Sequence, residues 1–259
     1  MPSTVGRPKP LYVETLIAAD QELVWNLTQL PQHHQRWDAR FTRISYLPST
    51  DPAAPVRFRY VLGLPERTSS RTDGTNGPIE GPRRGPRLTG IGITTADRCR
   101  PDGSRISALR FRADSALSPL GEGAGYWRYR ADPTGVRFST GYDYRPWPGR
   151  LGAAADRWCV RPVVGWLTAW SFDRLRLWAE RGIPPERSRR QATAEVMARS
   201  SAVVLAALLL GPAGGLPLLA LVLLLPPLPG TPAARRCRRQ PASRDGARAP
   251  HLLTTLEDP

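Results

Sequence analysis

Up to Arg145, apolar and polar residues alternate with period two in one segment after another, the mark of half-buried strands. Val56, Phe58, Tyr60 and Leu62 alternate with Arg57 and Arg59. Leu109, Phe111 and Ala113 oppose Arg110 and Arg112, and Trp127, Tyr129 and Ala131 oppose Arg128 and Arg130. Val136, Phe138, Thr140, Tyr142 and Tyr144 oppose Arg137, Asp143 and Arg145. Together with residues 11–17, 41–47 and 87–99, these segments predict about six to seven meandering antiparallel strands. Pro101-Asp102-Gly103-Ser104 supplies one hairpin turn.

The period changes twice. Leu23, Leu27 and Leu30 recur at i, i+4 and i+7, which predicts a short helix capped by Asp20 with Glu22 in its first turn. Pro31 ends it, and a second brief helix runs through His33 and His34 to Trp37. Residues 151–182 predict a helical cover whose main helix begins or kinks at Pro162 and ends at a Gly182 cap. Its stripe is Val163, Leu167, Trp170, Arg174 and Leu177, flanked by Trp166, Phe172, Leu175 and Trp178. An antiparallel sheet with one wet face needs an apolar cover on the other. The expected fold is therefore α+β: a curved antiparallel sheet gripping one C-terminal helix, with two short helices after the first strand.

Beyond residue 200 the alternation stops. No charge occurs between Arg199 and Arg235, a run too long for the core helix of a small domain. Two apolar halves flank Gly211-Pro212-Ala213-Gly214-Gly215. The run can cross a bilayer as one kinked helix or enter it as a hairpin bent at the Gly-Pro turn, and arginines on both sides leave the two open. The expected organisation is a flexible N-terminus (1–10), a folded domain (11–182) with a disordered loop at 65–86, and a basic linker (183–200). A membrane-associated segment (201–228) and a disordered Arg/Pro-rich tail (229–259) follow. The N-terminus lacks the apolar core of a signal peptide, so the domain is expected to face the cytoplasm.

Charge changes this picture little. The formal net charge is +15 over 259 residues, and Lys9 is the only lysine. The arginines are spread rather than clustered, which speaks against nucleic acid as a partner. Cys99, Cys159 and Cys237 have neither disulfide-scaffold number nor metal-ligand spacing.

Two stretches carry a family resemblance. One is Ile17-Ala18-Ala19-Asp20-Gln21-Glu22-Leu23-Val24-Trp25-Asn26-Leu27, followed by Leu30-Pro31-Gln32-His33-His34-Gln35-Arg36-Trp37-Asp38. The other comprises Gly141-Tyr142-Asp143-Tyr144 and Gly165-Trp166-Leu167-Thr168-Ala169-Trp170-Ser171-Phe172. They resemble the START/SRPBCC superfamily, in particular its bacterial polyketide-cyclase and lipid-transport-like members. The resemblance implies a helix-grip fold whose inner sheet face and long helix enclose a cavity for a hydrophobic small molecule. Residues of the apolar parity would line it: Phe58, Tyr60, Leu109, Phe111, Trp127, Tyr129, Phe138, Tyr142, Trp166 and Trp170. The alternative is that the same residues simply fill a core. Partners are then the apolar ligand and membrane lipids.

Catalytic chemistry is thin. His33 and His34 lack a third ligand and read as exposed helix residues; Asp143 and Asp173 read as surface ion-pair partners, and Asp38 and Glu122 as possible acids. Gly121-Glu122-Gly123-Ala124-Gly125 opens a strand rather than a helix, so it is no phosphate loop. No cofactor, metal or catalytic residue is assigned. The reading is non-catalytic binding or presentation of a lipid or polyketide-like molecule at a membrane. A cyclase-type enzyme and a membrane-bound interaction module are the alternatives.

Overall fold

The computed structural model describes residues 9–48, 51, 54–62, 88–116, 118–242 and 248–259. The loop expected at 65–86 and most of the expected flexible N-terminus lie outside the described residues. Seven strands form one antiparallel sheet: β1 (Leu11–Ile17), β2 (Phe41–Tyr46), β3 (Val56–Leu62), β4 (Leu88–Asp97), β5 (Arg105–Ala113), β6 (Glu122–Asp132) and β7 (Gly135–Tyr144). Their spatial order is β1-β7-β6-β5-β4-β3-β2. Consecutive strands pair as hairpins from β2 to β7, and β1 closes against β7 with Val13 opposite Thr140.

Helices α1 (Gln21–Gln29) and α2 (Pro31–Trp37) follow β1. The Asp20 carboxylate accepts hydrogen bonds from the Glu22 and Leu23 amides, so it is the N-cap of α1. The face it buries is rotated from the leucine stripe. Val24, Trp25, Leu27 and Thr28 are buried, whereas Leu23 and Leu30 are exposed. Trp25 wins because its ring packs 5.0 Å from that of Tyr129. A large ring buries more apolar area than a leucine can.

The helical cover at 151–182 is two helices joined by a π-helical turn: α3 (Gly149–Ala155), the turn Asp156–Val160, and α4 (Arg161–Arg181), with Pro162 in the first turn of α4 as expected. Gly182 ends α4 in the left-handed conformation (φ 63°) as its cap. The stripe again needs correction. Val164, Thr168, Ala169, Ser171, Phe172, Leu175 and Leu177 are buried, while Val163 and Trp166 face outward. Small residues at Thr168, Ala169 and Ser171 let the helix lie close on the sheet, where Phe138 stacks on Phe172 at 4.6 Å.

The expected basic linker is helical, and the described residues of the expected tail, 229–242 and 248–259, include parts that return to the domain. Helix α5 (Pro185–Leu224) starts three residues after α4 and bends at Gly211, whose φ of 66° and ψ of −165° are open to glycine. Its arms run back along each other. Arg199 donates to the carbonyls of Val222 (3.0 Å), Leu225 (3.0 Å) and Pro226 (2.8 Å), and the Leu228 amide bonds the Glu195 carboxylate. A side chain at Gly215 would meet Ala207 at 2.8 Å. The geometry is a helical hairpin, one of the two forms left open by the sequence. Pro212 brings no amide donor to the bend, so one fewer polar group needs a partner there.

After the hairpin the chain returns to the domain. Ala233 and Arg236 bond Asp173 on α4, Cys237 is buried against Ala169, and Glu14 of β1 exchanges two backbone hydrogen bonds with Arg238, each 2.8 Å. A last short helix, α6 (Leu252–Thr255), lies on the outer sheet face, where Leu256 packs with Ile93 and Ala108. The face expected to be wet is thus partly covered. The folded unit includes residues of 229–259 that were expected to be a separate tail.

Candidate functional site

The inner faces of β3, β5, β6 and β7, α2 and the start of β2 enclose a cleft of about 80 Å³. Phe58, Tyr60, Leu109, Phe111, Trp127 and Tyr142 line it, six of the ten residues expected to do so. Space for these rings comes from β4. A Cβ at Gly92 would lie 2.3 Å from the Phe58 ring, and one at Gly90 2.3 Å from that of Tyr60. The Gly121–Gly125 run leads into the start of β6, and Gly125 forms part of the cleft wall.

The other four lie elsewhere. Tyr129 and Phe138 belong to the solid core, the Tyr129 hydroxyl sharing hydrogen bonds with Thr28 (2.7 Å) and Gln29 (2.9 Å). Trp166 and Trp170 stack on each other with ring centroids 6.2 Å apart, on the side of α4 turned toward the hairpin base. Parity along a strand places an inner-face residue correctly but does not separate the filled end of the core from the open one. For the tryptophans, helical periodicity alone gave the wrong face.

The polar wall of the cleft was missed. His34 is largely buried rather than exposed: its ring stacks 5.1 Å from Trp37 and meets Trp127 edge-on at 4.8 Å. Its Nε2 lies 3.2 Å from Asp38 Oδ2. Arg40 donates to both oxygens of Asp38, from Nε at 2.9 Å and Nη2 at 2.6 Å, and its guanidinium sits 5.4 Å from the Tyr142 ring. The signal was available in the i, i+4 spacing of His34 and Asp38 followed by Arg40, but only tertiary burial gives it meaning. Burial pushes His34 below its ordinary range, more than the Asp38 carboxylate raises it, so the imidazole is neutral near pH 7. Burial alone would raise the Asp38 carboxyl, but Arg40 and His34 outweigh it and hold the group well below the usual range. The Tyr142 hydroxyl, 2.8 Å from Thr168 Oγ1, completes the polar groups.

The remaining acid candidates have structural partners. Glu122 is exposed and pairs with Arg145 at 2.9 Å; Asp143 pairs with Arg161 at 3.2 Å. Asp173 is fully buried, not at the surface, where it holds Arg176 and the returning chain. Among the described residues no group of three or more His, Cys, Asp or Glu side chains could hold a metal ion.

No family model matches the chain. The uncharacterized membrane protein YndG of Bacillus subtilis (strain 168) is 37% identical over 187 residues, covering 72% of this chain and 63% of that protein. The chain thus spans less than two thirds of that relative's length. Among solved structures, a Chromobacterium violaceum protein is 14% identical, with a TM-score of 0.42 over 67% of this chain and 99% of that one. The di-domain ARO/CYC StfQ from the steffimycin biosynthetic pathway is 13% identical, with a TM-score of 0.43 over 66% of this chain and 50% of that one. Ara h 8.0201 is 8% identical, with a TM-score of 0.40 over 66% and 96%. The helix-grip architecture rests on this chain's own strand order and on the α4 helix across its sheet. The apolar hairpin, with mean hydropathy 2.2, and the similarity to a membrane protein both point to membrane association.

Proposed function

We propose that this protein is a membrane-attached binding domain that holds a hydrophobic small molecule carrying one polar group. The carrying observation is the cleft itself, an aromatic wall facing a single polar corner of Arg40, Tyr142 and His34. Apolar lining with few fixed polar groups is what orients a small ligand. Arg40 remains cationic beside Asp38 and suits a carboxylate, enolate or phenolate oxygen. About 80 Å³ is far below the roughly 300–1,000 Å³ of drug-sized sites. A lipid- or polyketide-sized ligand therefore requires rings such as Phe58 and Phe111 to move outward.

The hairpin supplies the attachment. At 1.5 Å per residue the arm from Arg199 to Gly211 is about 18 Å long and the arm from Gly211 to Leu224 about 20 Å, both short of a hydrocarbon core of about 30 Å. It enters the bilayer without crossing it, and the uncharged surface gains far more from hydrocarbon than from water. Both flanks lie on one side, which we assign to the cytoplasm because of the flanking arginines.

Full-length protein in lipid nanodiscs tests the binding reading with 2-naphthoate as probe, followed by saturation-transfer NMR. Saturable binding above that of empty discs is expected, and it should weaken in Phe111→Trp, which fills the cleft, and in Arg40→Gln. Binding no greater than to empty discs, or unchanged in Phe111→Trp, overturns it. Reporters fused before residue 9 and after Pro259 test the topology; they should report the same side, and opposite sides would refute the hairpin.

A second reading, catalysis on that ligand, is favoured by the neutral His34 anchored on Asp38, an arrangement able to take a proton from an acidic carbon or hydroxyl. His34→Gln would then keep naphthoate binding while abolishing turnover of a linear poly-β-ketone.

A further inference from the structure

The hairpin base continues onto a surface that neither the fold nor the cleft explains. Along α3, the π-turn and the start of α4, bulky apolar side chains face outward. Leu151 is 88%, Trp158 77% and Trp166 47% exposed. Single exposed apolar residues are ordinary, whereas a run of large ones marks a contact surface. The π-turn contributes to this run. Asp156 stays buried, accepting from Tyr144 at 2.5 Å and Arg161 at 2.9 Å, while Trp158 two residues later points away from the core.

Charge on this face has one sign. Asp156 is the only acidic residue between Pro146 and Phe172, and it is buried. Arg150 and Arg157 are exposed, and the Arg157 guanidinium lies 5.3 Å from the Trp158 ring centre. Exposed tryptophans interleaved with arginines, without acids, fit the boundary between headgroups and acyl chains. The surface is also continuous with the membrane segment. Trp166 and Trp170 line an open groove of about 700 Å³ together with Val196, Met197, Val222 and Leu223 of the hairpin arms, and the acid that lines it, Glu195, is paired with Arg199.

We propose that this face is a second membrane contact, lying in the headgroup layer of the bilayer that the hairpin enters. This rests on the membrane reading of the hairpin. The hairpin provides depth, and the tryptophan face fixes the tilt of the domain on the surface. The partner is a lipid bilayer containing anionic lipid.

Two native cysteines give the test. Cys159 lies on this face and Cys99 on the turn after β4, both exposed, while Cys237 is buried. Full-length protein carrying only Cys159 (Cys99→Ser, Cys237→Ser) or only Cys99 (Cys159→Ser, Cys237→Ser) is labelled with an environment-sensitive nitrobenzoxadiazole probe. It is then reconstituted in phosphatidylcholine vesicles with and without phosphatidylglycerol. Flotation of the same samples reports the hairpin independently. The expected result is a blue-shifted, severalfold brighter probe at Cys159, quenched by doxyl lipids and reduced in Trp158→Glu, with the Cys99 probe unchanged. Vesicle-bound protein whose Cys159 probe stays as wet as that at Cys99 overturns the second contact and leaves the hairpin standing. Protein that does not float removes the membrane reading and this inference together. A blue shift that depends on protein concentration without lipid overturns the lipid assignment in favour of a contact between copies.

Discussion

Asp173 is the residue on which the return of the chain from the hairpin depends. Its side chain is fully buried, and Oδ2 accepts from the Ala233 amide at 2.7 Å and from Arg236 Nη1 at 2.9 Å, while Oδ1 takes Arg176 Nε at 2.7 Å. Asp173→Asn keeps the shape, removes the charge and turns one acceptor into a donor facing other donors. Hydrogen bonds to a charged group contribute about 1.5–3 kcal/mol each. The two that hold the returning chain therefore set a scale of about 3–6 kcal/mol, and removing one partner of a buried pair costs about 3–5 kcal/mol. A loss of about 3 kcal/mol is about a hundredfold rise in the population with residues 231–238 detached, at 1.4 kcal/mol per tenfold. Cys237 reports that population. It is buried, its Sγ lies 3.2 Å from the Ala169 carbonyl, and burial, with the nearby Asp173 charge, pushes its thiol up to about 12. Reaction with a maleimide in the native state should thus accelerate about a hundredfold in Asp173→Asn by the opening equilibrium. Exposed Cys99 and Cys159 react at unchanged rates and serve as internal standards. Near-UV circular dichroism of the tryptophan core separates local detachment from unfolding. Arg236→Gln, which removes one of the two bonds, should give a smaller acceleration of about tenfold. Cys237 reacting within threefold of wild type in both variants, with the core intact, would refute the anchoring role.

Two further perturbations follow from the cleft. His34 is held neutral below its ordinary value of 6.5, so the unfolded chain takes up a proton first as the pH falls. Its contribution is present above pH 6.5 and is lost as the pH falls through the depressed folded value; Asp38, also depressed, adds a second loss starting below 3.8. Urea midpoints of wild type should decline from pH 6.5 to 5, and His34→Gln should flatten that slope; an unchanged slope would show that the imidazole is not responsible. Gly92→Ala places a methyl 2.3 Å from the Phe58 ring and should cost about 1–3 kcal/mol by overpacking. Thermal melts should show Phe58→Leu restoring part of that loss in the double variant, and no destabilisation by Gly92→Ala would contradict the close packing.

Local patterns carried the frame of the fold and tertiary packing decided the rest. Strand parity put Phe58, Tyr60, Leu109, Phe111, Trp127 and Tyr142 on one wall, because side-chain direction in a strand is fixed by the pleat. The Asp20 and Gly182 caps were legible because each is a local demand of the backbone. Helix faces were not. In α1 and α4 apolar residues occur all round, and the choice between Leu23 and Trp25, or Trp166 and Thr168, falls to whatever lies opposite. His34 looked like a surface residue, Asp38 only like a possible acid, and Arg40 drew no reading, since nothing in the local pattern shows that the aromatic cleft closes over them. The ordered return of residues 231–239 was hidden for a similar reason. Its arginines and prolines read as unfolded until Asp173 and Glu14 are known to wait for them.

The pairing of Glu14 with Arg238 also sets an order of events in time. β1 is an outermost strand of the sheet, and an outermost strand with free amides and carbonyls invites pairing with another chain. The stretch that covers part of it is made only after the whole hairpin has been synthesised. During translation the sheet therefore keeps an open border until the apolar hairpin and the residues after it have left the ribosome. Completion of the domain thus waits on synthesis of the whole hairpin, and copies stalled before that point are the ones expected to aggregate.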